Sequence, residues 1–188
     1  MSYRIALVVG SLRRDSFNRQ LATALSALAP QGMEFKPVRI DDLPLYNQDN
    51  DNNPPEPVRR LKTEIAAAQG VLFVTPEYNR SVPGVLKNAI DHASRPYGQS
   101  AWAGKPAAVV GISVGSIGTA IAQQHLRNIL AYLDMPTLGQ PEVFLQNKPG
   151  MFTEQGAIAD DSTQQFLQKF LETFAAWVKH HADQVANR

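Results

Sequence analysis

The sequence predicts an α/β fold, a doubly wound five-stranded parallel sheet in the order 2-1-3-4-5 with helices on both faces. Three observations predict it. Short apolar runs alternate with amphipathic helical patterns five times along the chain, the signature of parallel strands joined by crossover helices. The runs Ile5–Val9, Val71–Val74 and Ala107–Ile112 are apolar throughout, as strands covered on both faces are. The polar, turn-rich stretches follow the first, third and fourth strands. In an open parallel sheet that is the carboxyl edge, where ligands bind near the reversal of strand order.

Taken in order, Arg4–Val9 reads as a buried strand. Phe17–Leu28 reads as a helix with Leu21, Ala24, Leu25 and Leu28 on one face, capped by Asp15 or Ser16 and ended by Pro30-Gln31-Gly32. Glu34–Ile40 is a weaker second strand, and Pro37 predicts an edge position. Asp41 to Pro57 is the most polar stretch. Its Asp49-Asn50-Asp51-Asn52-Asn53 run suggests calcium, but Pro54 stands where an EF-hand loop needs its turn glycine and Arg60 where it needs the bidentate glutamate, so a surface loop is expected. Val58–Ala68 places Val58, Leu61, Ile65 and Ala68 at helical spacing, with Gly70 as the stop. Val71–Val74 is the third strand, a helix follows from Gly84 to Ser94, and Ala107–Ile112 is the fourth strand. Thr119–Leu133 predicts a helix with Ala122, Leu126, Ile129, Leu130 and Leu133 inward, and Glu142–Gln146 a short fifth strand. After an irregular stretch, 147–161, a last helix carries Phe166, Leu167, Phe170, Leu171, Phe174 and Val178 on one stripe. At 188 residues without repeats or low-complexity segments, a single domain is expected.

The three loops carry the candidate chemistry. Val9 to Asn18, V-G-S-L-R-R-D-S-F-N, joins a strand end to a helix start, where free N–H groups and the helix dipole favour an anion. It has neither the G-x-G-x-x-G of a dinucleotide site nor the G-x-x-x-x-G-K-[ST] of a nucleoside-triphosphate loop, which leaves a single terminal phosphate. Ser11, Ser16 and Asn18 can donate hydrogen bonds to it and Arg13 can add a charge-assisted pair, while Ser16 equally fits a simple helix cap. In the second loop Pro76-Glu77-Tyr78-Asn79 offers backbone groups for the edge of a planar heterocycle, with Tyr78 as an aromatic wall and Asn79 as donor and acceptor. Glu77 equally reads as a surface carboxylate and Tyr78 as a half-buried core residue. In the third loop Gly115 and Gly118 let the backbone approach a ligand, and Ser113 and Ser116 add hydroxyls.

Composition removes other classes. With no cysteine, disulfides, thiolate metal sites and a cysteine nucleophile are excluded, and with the last of these the phosphatases of this topology. A net charge of +1 announces no basic face for nucleic acid and gives no reason to expect a membrane surface. No signal peptide or transmembrane-length run is visible, so a cytoplasmic location is expected. Gly10-Ser11 and Thr75-Pro76 stand where a response regulator needs its aspartates. His92, His125, His180 and His181 lack metal-ligand spacing with a carboxylate partner, so no metal is expected. A chain without a legible reactive side chain fits an enzyme whose bound cofactor carries the chemistry.

The motifs G-S-L-R-x-x-S-F-N after the first strand and P-E-Y-N-x-S-x-P-G-x-L-K-N-A-I-D after the third resemble those of the NADPH-dependent FMN reductases, flavodoxin-like quinone, azo-dye and chromate reductases. D-L-P-L-Y-N at Asp42–Asn47 and A-G-K-P at Ala103–Pro106 extend the likeness, which weakens after about residue 147. The resemblance implies non-covalent FMN, its phosphate held by Ser11, Arg13, Ser16, Phe17 and Asn18. The isoalloxazine edge would lie on Pro76, Glu77, Tyr78 and Asn79, and Ser113 with Gly115, Ser116 and Gly118 would complete the pocket. NADPH or NADH would pass hydride to the flavin, and a quinone, azo compound, free flavin or chromate-like oxidant would take two electrons. It also implies a homodimer or homotetramer, with Lys87 and Asp91 helping to form the interface, although the two equally read as an i,i+4 pair within one helix. Position 80 is often aromatic in the family and is Arg80 here, a candidate substrate-binding residue for an anion. A flavodoxin-type electron carrier and a flavin-binding regulatory protein are the alternatives; the carriers are typically very acidic, against +1 here.

Overall fold

A computed structural model describes residues 2–186. Its elements are β1 (Tyr3–Val9), α1 (Phe17–Ala27), β2 (Met33–Val38), a single 3-10 turn (Gln48–Asn50), α2 (Glu56–Ala66), β3 (Gly70–Val74), α3 (Gly84–Ala93), β4 (Ala107–Ser113), α4 (Ala120–Tyr132), β5 (Val143–Gln146) and α5 (Asp161–Ala186). The five strands form one sheet in the order β2-β1-β3-β4-β5, and every pair is parallel. The predicted order, the edge position of the Pro37 strand, the four crossover helices and the final helix after β5 are therefore observed.

Alternation along β1 divides the core. Ile5 and Leu7 point to one face and pack with Leu21 and Leu25 of α1 and with Leu167, Phe170 and Phe174 of α5. Ala6 and Val8 point to the other and pack with Leu61 and Ile65 of α2, Leu86 and Ile90 of α3, and Leu126 and Leu130 of α4. A strand covered on both faces gains burial at every residue, which is why β1, β3 and β4 read as unbroken apolar runs.

Three expectations are corrected. Gly70 does not stop a helix; it opens β3, paired with Ile5, where a β-carbon would stand 2.8 Å from Val178 Cγ2 and 3.2 Å from Ile5 Cδ1. The helix ends earlier, with Lys105 donating to the carbonyls of Ala66 (3.1 Å) and Ala68 (2.7 Å), a cation at the negative end of α2. Phe166 is exposed, because it falls off the Leu167–Phe170–Phe174 stripe that faces the sheet. Ile129 and Leu133 are only partly buried at the edge of the α4 contact.

The β2–α2 connection is anchored rather than free. Asn88 of α3 pairs with it through both ends of its amide, Nδ2 donating to Pro44 O and Oδ1 accepting from Tyr46 N, each at 2.8 Å. His92 Nε2 lies 2.8 Å from the same Pro44 carbonyl. The L-K-N-A-I-D and D-L-P-L-Y-N motifs thus meet in space.

Candidate active site at the carboxyl edge of the sheet

The loops after β1, β3 and β4 all emerge at the carboxyl edge, either side of the β1/β3 reversal. At the first, Gly10 N donates to Val74 O at 2.9 Å, and a β-carbon on Gly10 would press on Leu86 at 3.1 Å. Ser11 is buried, its carbonyl accepts from Arg19 Nε at 3.3 Å, and its hydroxyl has no hydrogen-bond partner among the described residues. Ser16 caps α1, its hydroxyl accepting from Arg19 N at 3.3 Å. No acidic residue stands in the first turn, so the positive helix end is not neutralised locally. The Arg13 guanidinium lies 5.1 Å from the Phe17 ring centroid, a cation–π contact that keeps the charge beside the loop.

Asn18 has a different position from the one its sequence context suggests. It is buried, with Nδ2 donating to Ile112 O at 2.9 Å and Oδ1 accepting from Ile112 N at 3.1 Å. Thr75 N is the last β3 donor to β4, bonded to Val110 O at 2.9 Å. Two residues on, the β4 backbone points at the gap where β3 has turned away. The Asn18 amide fills that gap as a further strand residue would, and so ties the first loop to the third.

The second loop is a tight hairpin. Tyr78 and Ser81 exchange backbone hydrogen bonds of 3.0 Å in both directions, and Asn79 (φ 51°) and Arg80 (φ 63°) form the two-residue turn. Positive φ at both central positions defines a type I′ turn, for which asparagine followed by glycine is the preferred pair. Arginine in the second place carries strain of about 1 kcal/mol. Tyr78 is half exposed and packs in no core cluster. His125 Nδ1 lies 3.0 Å from Ser81 Oγ and joins the hairpin to α4, a contact 44 residues apart with no local signal in the sequence.

The Glu77 carboxylate is not a solvated surface group but is committed to the start of α4. Its side chain is nearly buried, and Oε2 accepts from Ile121 N (3.0 Å) and Ala122 N (3.1 Å) at the start of α4. Helix α4 lacks a side-chain cap of its own, since Thr119 Oγ1 accepts instead from Gln123 Nε2. The carboxylate supplies that cap from another loop, where the helix dipole favours it. Glu77→Ala is expected to lower the stability of the flavin-free protein by about 1–2 kcal/mol, and Glu77→Gln, which keeps an acceptor but loses the charge, by roughly half as much. Denaturant unfolding of both variants checks this; equal losses would remove the charge from the account.

In the third loop Ser113 Oγ donates to Gly118 O. A β-carbon on Gly118 (φ 63°) would stand 2.9 Å from the carbonyl carbon of Phe144, so this glycine admits β5 and not a ligand, as the sequence had suggested. Gly115 is open, with only Ser113 Oγ near it, at 3.8 Å. Ser116, Val114 and Ile117 are exposed, and so are Leu12 of the first loop and Tyr78 of the second, so that each of the three loops carries an exposed apolar side chain. Pro76 holds the chain between Thr75, whose hydroxyl donates to the Pro76 carbonyl at 2.8 Å, and Glu77. Among the described residues no group of three His, Cys, Asp or Glu side chains can hold a metal.

The carboxyl edge thus presents a helix start with free N–H groups and three loops with exposed apolar side chains, cross-braced by Asn18 and Glu77. Comparison with known proteins places the same architecture in a family. Residues 3–150 match the model of the NADPH-dependent FMN reductases. A 2-hydroxy-1,4-benzoquinone reductase from a Burkholderia species is 56% identical over 179 residues, covering 95% of this chain and 98% of that one. A quinone reductase of Pseudomonas putida is 54% identical over 178 residues, covering 94% and 95%. The solved structure of FerB, a flavoenzyme NAD(P)H:acceptor oxidoreductase from Paracoccus denitrificans, superposes with a TM-score of 0.92 at 46% identity over 95% of this chain and 98% of its own. On a match that spans all three carboxyl-edge loops and the strands that present them, the chain belongs to the NADPH-dependent FMN reductase family.

Proposed function

We propose that this protein is an NAD(P)H-dependent quinone reductase working through one non-covalently bound FMN. The observation that carries the reading is Ser11, a buried residue whose hydroxyl reaches the surface and has no protein partner among the described residues, beside an α1 N-terminus with no acidic residue in its first turn. A phosphate fits that place. Ser11 and Ser16 can each donate, since Ser16 Oγ uses only an acceptor site in capping, the free N–H groups of the first helical turn face it, and Arg13 supplies charge. A flat ring fits beyond it, among Pro76, Tyr78, Asn79, Ser113, Gly115 and Ser116, with Val114 and Ile117 at the margin.

When bound, FMN supplies the two-electron chemistry, taking hydride from NAD(P)H and returning two electrons to a quinone. What the chain contributes is placement. Asn18 and Glu77 fix three loops against one another before any ligand arrives, so ordering them is not left to the binding step. The exposed apolar side chains of the loops, Tyr78 among them, offer surface that a flat substrate can cover. A small open site of this kind admits azo compounds, free flavin and chromate as incidental acceptors.

We extend the reading to a homo-oligomer. A groove of about 580 Å³ between α3 and α4 is flanked by the strongly exposed Tyr97 and Tyr132, an apolar feature of the sort that marks interfaces. Lys87 and Asp91, on its wall, pair with each other at 2.9 Å within the helix. No helix among the described residues is long and apolar enough to cross a membrane, and the cytoplasm is the proposed location.

The test is direct. The purified protein is expected to be yellow, to release FMN on denaturation, and to oxidise NADPH with a quinone in a ping-pong pattern. A protein that stays colourless after incubation with FMN overturns the reading. A yellow protein without NAD(P)H turnover favours the electron carrier.

A further inference from the structure

We propose that Arg80 is a specificity residue that recognises an anionic substituent on a substrate at the mouth of the site, either the 2′-phosphate of NADPH or a charged group on the quinone. The inference rests on the flavoenzyme reading and adds a substrate class to it.

Folding does not account for this side chain. It occupies the turn position at which glycine is most at ease, with φ at 63°. The turn has other fastenings: the paired Tyr78–Ser81 backbone bonds, the Ser81–His125 contact, and the Glu77 carboxylate on α4. Among the described residues the one polar contact of the guanidinium is with Glu77 Oε1 at 3.4 Å, the long end of the range, and 67% of the Arg80 side chain is exposed. An ion pair so placed adds little to stability.

What remains is a cation on a rigid arm. Of the five N–H donors of a guanidinium, the one facing Glu77 is engaged and the others have no partner among the described residues. The Glu77 charge beneath it is already taken up by two backbone N–H groups, which leaves the positive end of the pair outward. A planar fork of donors matches phosphate, sulfonate or an enolate oxygen, and it is mounted on the hairpin that also presents Tyr78 to the candidate flavin site. An aromatic residue at this position would offer stacking; arginine offers charge recognition.

The experiment is Arg80→Gly in the flavin-loaded enzyme, with kcat/KM measured for NADPH against NADH and for a sulfonated naphthoquinone against a neutral benzoquinone. The ratio of anionic to neutral substrate is expected to fall about five-fold or more in one pair, and its dependence on ionic strength to flatten. A fall in the NADPH/NADH ratio assigns the nucleotide phosphate; a fall in the quinone ratio assigns the acceptor. Both ratios unchanged overturns the proposal. The melting temperature of Arg80→Gly is expected to equal or exceed that of the parent, and a clear decrease would return the side chain to a structural role and overturn it as well. Parent protein that binds no FMN or shows no NAD(P)H turnover refutes the flavoenzyme reading; there, the affinities of parent and variant for NADP+ against NAD+ and for the sulfonated against the neutral quinone decide on Arg80, an undiminished preference for the anionic member of both pairs in the variant overturning it.

Discussion

Gly111→Ala is expected to be the most damaging conservative change in the chain, costing about 3–5 kcal/mol and lowering the melting temperature by about 10 °C or more. A β-carbon at this position in β4 would stand 2.2 Å from Thr119 Oγ1 and 2.2 Å from the carbonyl oxygen of Thr75. The first neighbour is a side chain at the start of α4; the second is backbone at the point where β3 turns into the second ligand loop. Relief therefore requires the strand end and the helix start to part. Adding Thr119→Ala is expected to recover only part of the loss, because the Thr75 carbonyl stays in place. Thermal unfolding of the single and double variants checks this, and a fully restored double variant would show that the side-chain clash alone was responsible. Since Thr75 and Thr119 border the second and third loops, the same variant is expected to load FMN poorly.

Asn18→Ala is expected to cost about 2–4 kcal/mol, equally with and without flavin. The substitution leaves the N–H and C=O of Ile112 buried and unpaired where β3 no longer runs beside β4. Asn18→Asp is expected to be no better, because a carboxylate accepts from the N–H but faces the carbonyl with no donor, and brings a charge into a buried place. Denaturant unfolding of apo and FMN-loaded protein separates this brace from a phosphate ligand. A ligand residue would leave the apoprotein unaffected and lower only the added stability that FMN confers.

Both positions bear on what a linear reading captures. Asn18 stands two residues after Ser16 in a loop that reads as a phosphate cradle, and its amide has the donors a phosphate needs. Nothing nearby in the sequence indicates that Ile112, 94 residues later, needs the same donor. Glu77 presents the same difficulty: a carboxylate between Pro76 and Tyr78 reads as solvated, and its partners are backbone groups 44 and 45 residues away. Glycines divide likewise. Gly115 and Gly118 attract attention in a serine-rich loop, yet Gly118 makes room for β5, while Gly111, inside an apolar run, is where three elements cross. Ser16 was legible as a cap, because capping is a local interaction.

The sequence by itself determined the five-fold β-α alternation, the edge placement of the Pro37 strand, the carboxyl-edge location of the three polar loops and, through two motifs, the family. These rest on periodicity and on short-range geometry, which are written into neighbouring residues. Only the tertiary structure decided which polar side chains remain for a ligand and which hold the loops together. A buried donor goes to whichever unpaired group the fold brings within about 3 Å, and that partner is set by chain crossing rather than by sequence distance. The Asn18 amide is committed to Ile112 because β3 turns away from β4 just where that amide arrives, whereas the Ser11 hydroxyl has no partner among the described residues.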